Sequence, residues 1–550
     1  MSANDIDAAV ARSLIKSLLQ RLVPDERGNY ELRGPMTADE YAGLASLVGY
    51  AGSQPPSVSP KAEQALYRFG KPANITTPLL LDLDCLSKHK KSGDVVALDF
   101  GTAFSKAALW RSGADAPTPL DLGQQVSDRA NNLLASSLYI SHGAIYFGDA
   151  AISVSRSEND PARTRFDSPK QELSILQGQG LDELVDASVD PTRQFTKRNL
   201  LTLYLAYLTA ASCAALESEG VGRYVLRRFA VPVWKDSQVE VVSKILKRLL
   251  VDAQILADSL PLEVWRQGLS ANDAITALGL LNADLTDESR DGAKFVEKHV
   301  LEAAAAAAAI GEHLSDTRPI VLVVDVGAGT TDIGLYRYAL PSADQGRIYP
   351  FSNGGAALKI AGDRLDGLLL AFIANRAQLD DQTESGKRSM YVLRRDIREL
   401  KRQLFEDGEL FLDDIGDIEI RLKDFMDSKE VRQFEQKLKV EIEKLLESVG
   451  VQNFGDAKSL FVVVTGGGSK VPIFKNIAHR RYDVSGETVQ FQLLDVEPEW
   501  LQDFDALTRE VFPQLAVAVG ACSPLLPEEK RSISDASVAP RRVIAPMYRS

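Results

Sequence analysis

The chain is poor in the residues that most often staple a fold or hold a metal. Its 550 residues include only three cysteines and five histidines. Cys85, Cys213 and Cys522 lie too far apart for a disulfide framework or a thiolate metal cage. His89, His142, His299, His313 and His479 show no ligand spacing of the HxxxH kind. A reducing compartment is therefore expected. Net positive charge is also missing. Against 63 basic side chains stand 76 acidic ones, a balance of −13, and a general nucleic-acid binder needs a positive field. The start MSANDIDAAVARS lacks the basic-then-apolar order of a signal peptide. No apolar run is read as approaching the ~20 residues that span a bilayer, the longest being around Leu301 to Ile310. The expectation is a soluble cytoplasmic protein, with no nucleic-acid and no membrane partner.

What is present is ordinary for a large folded chain: 45% hydrophobic and 25% charged residues, enough to bury a substantial core. Ile6, Val10, Leu14, Leu18 and Leu22 share one helical stripe. Thr37 and Glu40 have the spacing of a capping box opening a second helix through Leu47. Ser53 to Pro60 reads as a linker, because consecutive prolines cannot continue a helix, and a third short helix is expected over Lys61 to Phe69. Residues 1–90 are thus expected to form a small helical N-terminal appendage.

From Asp94 apolar strands end in glycine-rich turns and alternate with helical stretches, the pattern of an α/β domain over residues 91–525. Candidate strands are Val95 to Phe100, Leu138 to Phe147, Val225 to Val233, Ile320 to Val326 and Leu460 to Thr465. Val431, Phe434, Leu438, Ile442 and Leu445 form a helical stripe that Asp427 and Glu430 can cap and Gly450 can end. Residues 526–550 lack periodicity and read as a disordered tail.

Two segments carry chemistry. VVALDFGTAFSKAAL contains Asp99, Gly101, Thr102, Ser105 and Lys106; IVLVVDVGAGTTDIGLY contains Asp325, Gly327, Gly329, Thr330, Thr331 and Asp332. Each is an apolar strand, an aspartate, a tight Gly/Thr turn and another strand. Glycine lets the backbone approach a phosphate with its N–H groups turned inward, and threonine hydroxyls add donors. An aspartate at the strand end suits Mg²⁺ held through its water shell, because that cation dehydrates reluctantly. A third turn, LFVVVTGGGSKVPIF, places Gly466, Gly467 and Gly468 after a strand, with Lys470 next, where a base or ribose can lie flat against exposed backbone. The phosphate-loop pattern GxxxxGK[ST] is absent.

Phosphate turn, second phosphate turn, then adenosine turn resembles the actin-like ATPase superfamily, and most closely the nucleotide-binding domain of the 70-kDa heat-shock chaperones. The resemblance covers residues 94–525. SSLYISHGAIYFGDAA resembles the family's strand pair ending in a GDAA turn, and AVPVWKDSQ and AVAVGAC are similar to other segments of that family. RFDSPKQEL offers Lys170 as the catalytic lysine, LEAAAAAAAIG offers Glu302 as the active-site glutamate, and RELKRQL offers Lys401 and Arg402 around adenine and ribose. The resemblance implies a two-lobed fold, with a duplicated sheet and flanking helices around a cleft for ATP or ADP and Mg²⁺. Asp99, Asp325 and Asp332 would position hydrated metal or the attacking water. Lys170 and Glu302 would orient that water, and Thr102 and Thr330 would donate to phosphate oxygens.

Four departures qualify the resemblance. Lys106 stands where actins, not these chaperones, have a phosphate-contacting lysine. Arg398 and Phe405 replace a glutamate and a serine that contact adenosine, which leaves base selectivity open. The stretch from Gln238 to Glu302 is longer than the family's and helical in pattern. No peptide-binding β-sandwich is expected after Gly520. Pro78 to Leu86 resembles the chaperones' apolar-acidic linker but precedes the domain, and reads otherwise as a buried strand. The leading expectation is a slow ATPase whose cleft motion acts on a protein client, with a J-domain-type co-chaperone or exchange factor implied by the resemblance. The alternatives are a filament-forming bacterial actin relative, a small-molecule kinase and a nucleotide-sensing regulator.

Overall fold

A computed structural model of the protein describes residues 22–24, 30–32, 79–88, 93–123, 131–176, 179–232, 236–311, 319–339, 347–415, 417–454, 459–494 and 497–527. The chain divides into two compact units, Met1–Lys71 and Pro72–Ser550. In the first, Leu22–Pro24 and Tyr30–Leu32 pair antiparallel with Leu22 opposite Leu32, so Leu22 lies in a strand rather than at the end of a helix. The rest of the helices expected up to Phe69, the linker at 53–60 and the tail from residue 528 lie outside the described residues. The division at Lys71 precedes the boundary expected at 90. Leu79, Leu81 and Leu86 pack against the core of the second unit and Cys85 is buried in it, so this segment is part of that unit's hydrophobic core. It forms a short 3-10 turn at Asp84–Leu86 instead of a strand.

The second unit is α/β. Its first main sheet comprises β1 (Val95–Asp99), β2 (Phe104–Trp110), β3 (Thr118–Pro119), β4 (Leu226–Val231) and β5 (Val296–Leu301), with the two-residue strand Leu134–Ala135 paired to the start of β2 off that path. Its second comprises β6 (Ile320–Val326), β7 (Thr331–Ala339), β8 (Arg347–Leu358), β9 (Ser459–Thr465), β10 (Arg481–Val484) and β11 (Glu487–Leu493). The first runs β3-β2-β1-β4-β5 and the second β8-β7-β6-β9-β11, with β10 added at the edge. In both, the first three strands are an antiparallel meander, while the next two join parallel to the first. The meanders need only tight turns, whereas each parallel step needs a helical crossover. All residues of β1 and β6 are buried, as expected for central strands covered on both faces.

The helices that matter below are α1 (Lys170–Leu176), α2 (Lys197–Ser218), α3 (Asp236–Ser259), α4 (Glu302–Gly311), α5 (Gly362–Arg376), α6 (Glu384–Asp407), α7 (Lys429–Val449) and α8 (Phe512–Cys522). α4 and α8 form an apolar layer with residues of both sheets. Ala303, Ala305 to Ala309 and Leu515 to Cys522 share one cluster with Ala97 and Ala230 of the first sheet and Val321 and Val463 of the second. Alanine is needed there because a larger side chain between closely packed helices would cost roughly 1–3 kcal/mol in overpacking. The stretch between β4 and β5 is helical as expected: α3 is followed by Leu262–Gln267, Ala271–Asp284 and Asp287–Gly292.

Three local readings change. Leu138 to Phe147, one strand by its apolar pattern and a strand pair by the resemblance, is the pair, Ser137–Ser141 and Ala144–Phe147, because His142 and Gly143 both take positive φ and turn the chain. The cap of α7 is Ser428, whose Oγ accepts from the Val431 N–H at 3.4 Å, rather than Asp427 or Glu430. The stripe from Val431 to Leu445 is buried in full. Among the described residues, one helix, α2, is long and apolar enough to cross a membrane, and 89% of its most apolar window is buried inside the protein. Its polar residues interrupt the run in sequence, which hid its length; in the fold it is a core helix.

Candidate functional site

The two hairpins place their polar residues at equivalent positions. On the first, Asp99 ends β1 and its cross-strand partner is Lys106. The Lys106 Nζ donates to Asp99 Oδ2 at 2.7 Å. On the second, Asp325 on β6 faces Asp332 on β7. Asp99, Asp325 and Asp332 are all buried. At the end of β9, the Thr465 hydroxyl donates to Asp325 Oδ1 at 2.8 Å.

The turns face one another. A Cβ built on Gly329 would stand 3.0 Å from Thr102 Oγ1, which puts the second turn against the first. Gly327 N–H closes its own turn on Thr330 O at 2.9 Å, and the Thr331 hydroxyl donates to Ile360 O at 2.6 Å. The start of α5 supports the same turn: Gly362 N–H donates to Gly327 O at 3.1 Å and Asp363 N–H to Ala328 O at 2.7 Å. The glycine triplet lies beside them. Gly466 has φ +79°, a left-handed backbone that only glycine adopts freely, and its N–H donates to Pro513 O at 2.6 Å. Gly468 N–H donates to Val326 O at 3.0 Å, pinning the triplet to the end of β6.

Lys170 opens α1 and Glu302 opens α4, and their side chains form a buried ion pair. Glu302 sits well there, since a carboxylate at a helix N-terminus faces the positive end of the dipole. Burial opposes the charge on Lys170, but the carboxylates of Glu302, Asp99 and Asp332 outweigh it and raise its pKa. Asp325 is pushed up to about 7, first by burial and then by the Glu302 and Asp99 charges, against the Thr465 donor and Lys106. The centre thus holds more buried carboxylates than ammonium groups.

These groups line one cavity of about 510 Å³. It takes in Asp99, Gly101, Thr102, Lys106, Lys170, Glu302, Asp325, Gly327, Thr330, Lys401, Arg402, Gly466, Gly467, Gly468 and Lys470. Gly329, Thr331 and Asp332 belong to the second turn and the start of β7 without lining it. Lys401 bonds to Asp366 Oδ1 at 2.7 Å and to Gly362 O at 3.2 Å. Arg402, half exposed, is held by Glu399 and Glu406 on its own helix. Lys470 pairs with Glu510. Phe405 lines the cavity and packs edge-on against Phe425, ring centres 6.4 Å apart. A second cavity, of about 550 Å³, lies between the end of β8 and α7 and contains none of the predicted residues.

Sequence reasoning missed Asp363, Asp366 and Gln171. The signal available was the pair of acids at the first turn of α5, Gly362-Asp363-x-x-Asp366, one helical turn apart. Among the described residues no group of three or more acidic, histidine or cysteine side chains is close enough to hold a metal directly.

No protein-family model matches this chain, and no curated protein matches it. The site stands on its own geometry.

Proposed function

We propose that the second unit is a two-lobed, actin-like nucleotide-binding domain resembling that of the 70-kDa heat-shock chaperones. In this reading it binds ATP or ADP with Mg²⁺ in the 510 Å³ cleft and hydrolyses ATP slowly. The observation that carries the proposal is the buried Lys170–Glu302 pair, lining the same cleft as two Gly/Thr turns that meet at Thr102 and Gly329. The repeated strand order of the two main sheets supports the fold part of the reading.

The residues suit phosphates and a hydrated divalent cation. Turn amides and the hydroxyls of Thr102 and Thr330 supply donors, and Lys106 and Lys170 supply positive charge. Asp99, Glu302 and Asp332, joined by Asp325 once it loses its proton, stand against those two ammonium groups, an imbalance that a divalent cation relieves. With no cluster for direct ligation among the described residues, Asp99, Asp325 and Asp332 would hold such an ion through water. The metal would supply charge neutralisation at the phosphates. Lys170 and Glu302 would orient the attacking water, with Asp325 positioning that water or the hydrated metal. Lys401, Arg402, Lys470 and the triplet Gly466 to Gly468 would enclose the nucleoside.

Nucleotide-driven opening and closing of the cleft would act on a protein client, with a co-chaperone or exchange factor as the implied partner. A reducing, cytoplasmic setting belongs to the same reading, supported by three free, buried thiols. Lys106, placed in the cleft, favours a second reading as a filament-forming actin relative. That reading predicts sedimentable polymer with ATP.

The deciding experiment is ATP turnover by purified protein with Mg²⁺, compared with Lys170→Ala and Asp325→Asn. Slow turnover lost in both, with ATP still bound by the lysine variant, supports the proposal. Binding without turnover points to a nucleotide sensor. Normal turnover by Lys170→Ala refutes the chaperone-type site.

A further inference from the structure

We infer that Asp363 is a positioning residue that ties the second phosphate turn to the segment carrying Lys170, through Gln171 and Arg398.

Asp363 works in two directions. Its backbone N–H donates to Ala328 O at 2.7 Å, inside the second turn. Its carboxylate faces the other way. Oδ2 accepts from Gln171 Nε2, on the residue next to Lys170. Oδ1 accepts from Arg398 Nη2 at 3.0 Å, and the same guanidinium donates to Ser168 Oγ at 2.6 Å. One residue of α5 thus fastens the second turn to both Ser168 and Gln171, which flank Lys170.

Two further observations separate this from an ordinary surface ion pair, which contributes little. Ser168 has φ +61°, a left-handed backbone that a serine keeps only when its surroundings over-determine it. Its N–H is held by Ser136 O at 2.9 Å, its carbonyl by Gln171 N–H at 2.9 Å and its hydroxyl by Arg398, so the strained residue is fixed on three sides. Second, a Cβ on Gly329 would stand 3.6 Å from Gln171 Nε2, so the amide that binds Asp363 also abuts the second turn. A small displacement of the turn relative to Lys170 is what this arrangement resists. Displacements of that size cost on the order of 10²-fold in rate when they separate catalytic groups.

The inference rests on the proposed ATPase reading for its effect on rate, but not for its effect on structure. Asp363→Ala, Gln171→Ala and Arg398→Ala are compared with the wild type in two measurements. Hydrogen–deuterium exchange of the nucleotide-free full chain is expected to rise over residues 168–171 and 327–331 in each variant. Steady-state kinetics are expected to show kcat for ATP lowered on the order of 10- to 100-fold in each, with KM within about twofold in the Asp363 and Gln171 variants. Gln171→Ala combined with Asp363→Ala should fall no further than Asp363→Ala alone. Unchanged exchange in both segments overturns the tie, whether or not the protein turns ATP over. Raised exchange with kcat unchanged in an active enzyme overturns the positioning role. If Asp363→Ala does not fold, the Gln171 and Arg398 variants carry the same comparisons. A wild type without turnover defeats the ATPase reading, and exchange alone then decides whether the tie exists.

Discussion

Lys170 and Glu302 stand 132 residues apart in the chain and meet as a buried ion pair between the first turns of two helices. Both line the 510 Å³ cavity, and Lys170 is held besides by the carboxylates of Asp99 and Asp332. Removing the ammonium leaves Glu302 buried among other carboxylates without its partner, which typically costs about 3–5 kcal/mol. Lys170→Met is therefore expected to lower stability by several kcal/mol, read from the denaturant midpoint. Lys170→Met combined with Glu302→Leu should recover most of that loss. A double variant no more stable than Lys170→Met would mean that the pair is not the source of the cost.

Asp325 gives the protein a pH dependence of known sign. Folded, it keeps its proton up to about pH 7, whereas its ordinary pKa is 3.8. Between these values unfolding releases a proton, so stability falls as pH rises through the window and levels off above it. The slope is at most about 1.4 kcal/mol per pH unit. In chelator and without nucleotide, urea midpoints at about pH 5 should exceed those at about pH 7.5. Asp325→Asn should flatten the difference, with Thr465 still able to donate to the amide oxygen.

Gly466 holds a left-handed backbone against the end of β6. Gly466→Ala meets both the backbone penalty, roughly 1–3 kcal/mol, and a collision with the Val326 carbonyl. A drop in melting temperature with weaker binding of a fluorescent adenine nucleotide is expected. Gly113→Ala serves as the control, since a Cβ there meets nothing within 4 Å and only the backbone penalty applies.

The three thiols should be silent in the native state. Cys85, Cys213 and Cys522 are all free and buried, and burial, helped by Asp258, pushes Cys85 up to about 12. A colourless-to-coloured thiol reagent at neutral pH should find essentially no reactive group until denaturant is added, and then three per chain. Rapid native reaction would show that one of these sites opens.

The strands β1, β6 and β9, the glycine turns that follow them and the aspartates at the ends of β1 and β6 were legible from local pattern alone. An apolar run followed by Asp and Gly/Thr has few other ways to fold, because the strand must be buried and the turn must satisfy its own backbone. The stripe of α7 was legible for the same reason. Local pattern was insufficient at Ser428, where a serine one position from the expected acids supplies the cap. It was also insufficient at α2, whose threonines and serine break the run in sequence while the folded helix buries them.

The pairing of Lys170 with Glu302, the approach of Thr102 to Gly329, and the convergence of Gln171 and Arg398 on Asp363 belong to the tertiary structure. No spacing along the chain encodes them, since each joins segments carried by different helices or turns. What brings them together is the burial of the alanine-rich layer of α4 and α8 among residues of two sheets with one strand order. Residue types set which groups end each strand; apolar packing sets which of those ends face one another, and the chemistry lies in the facing.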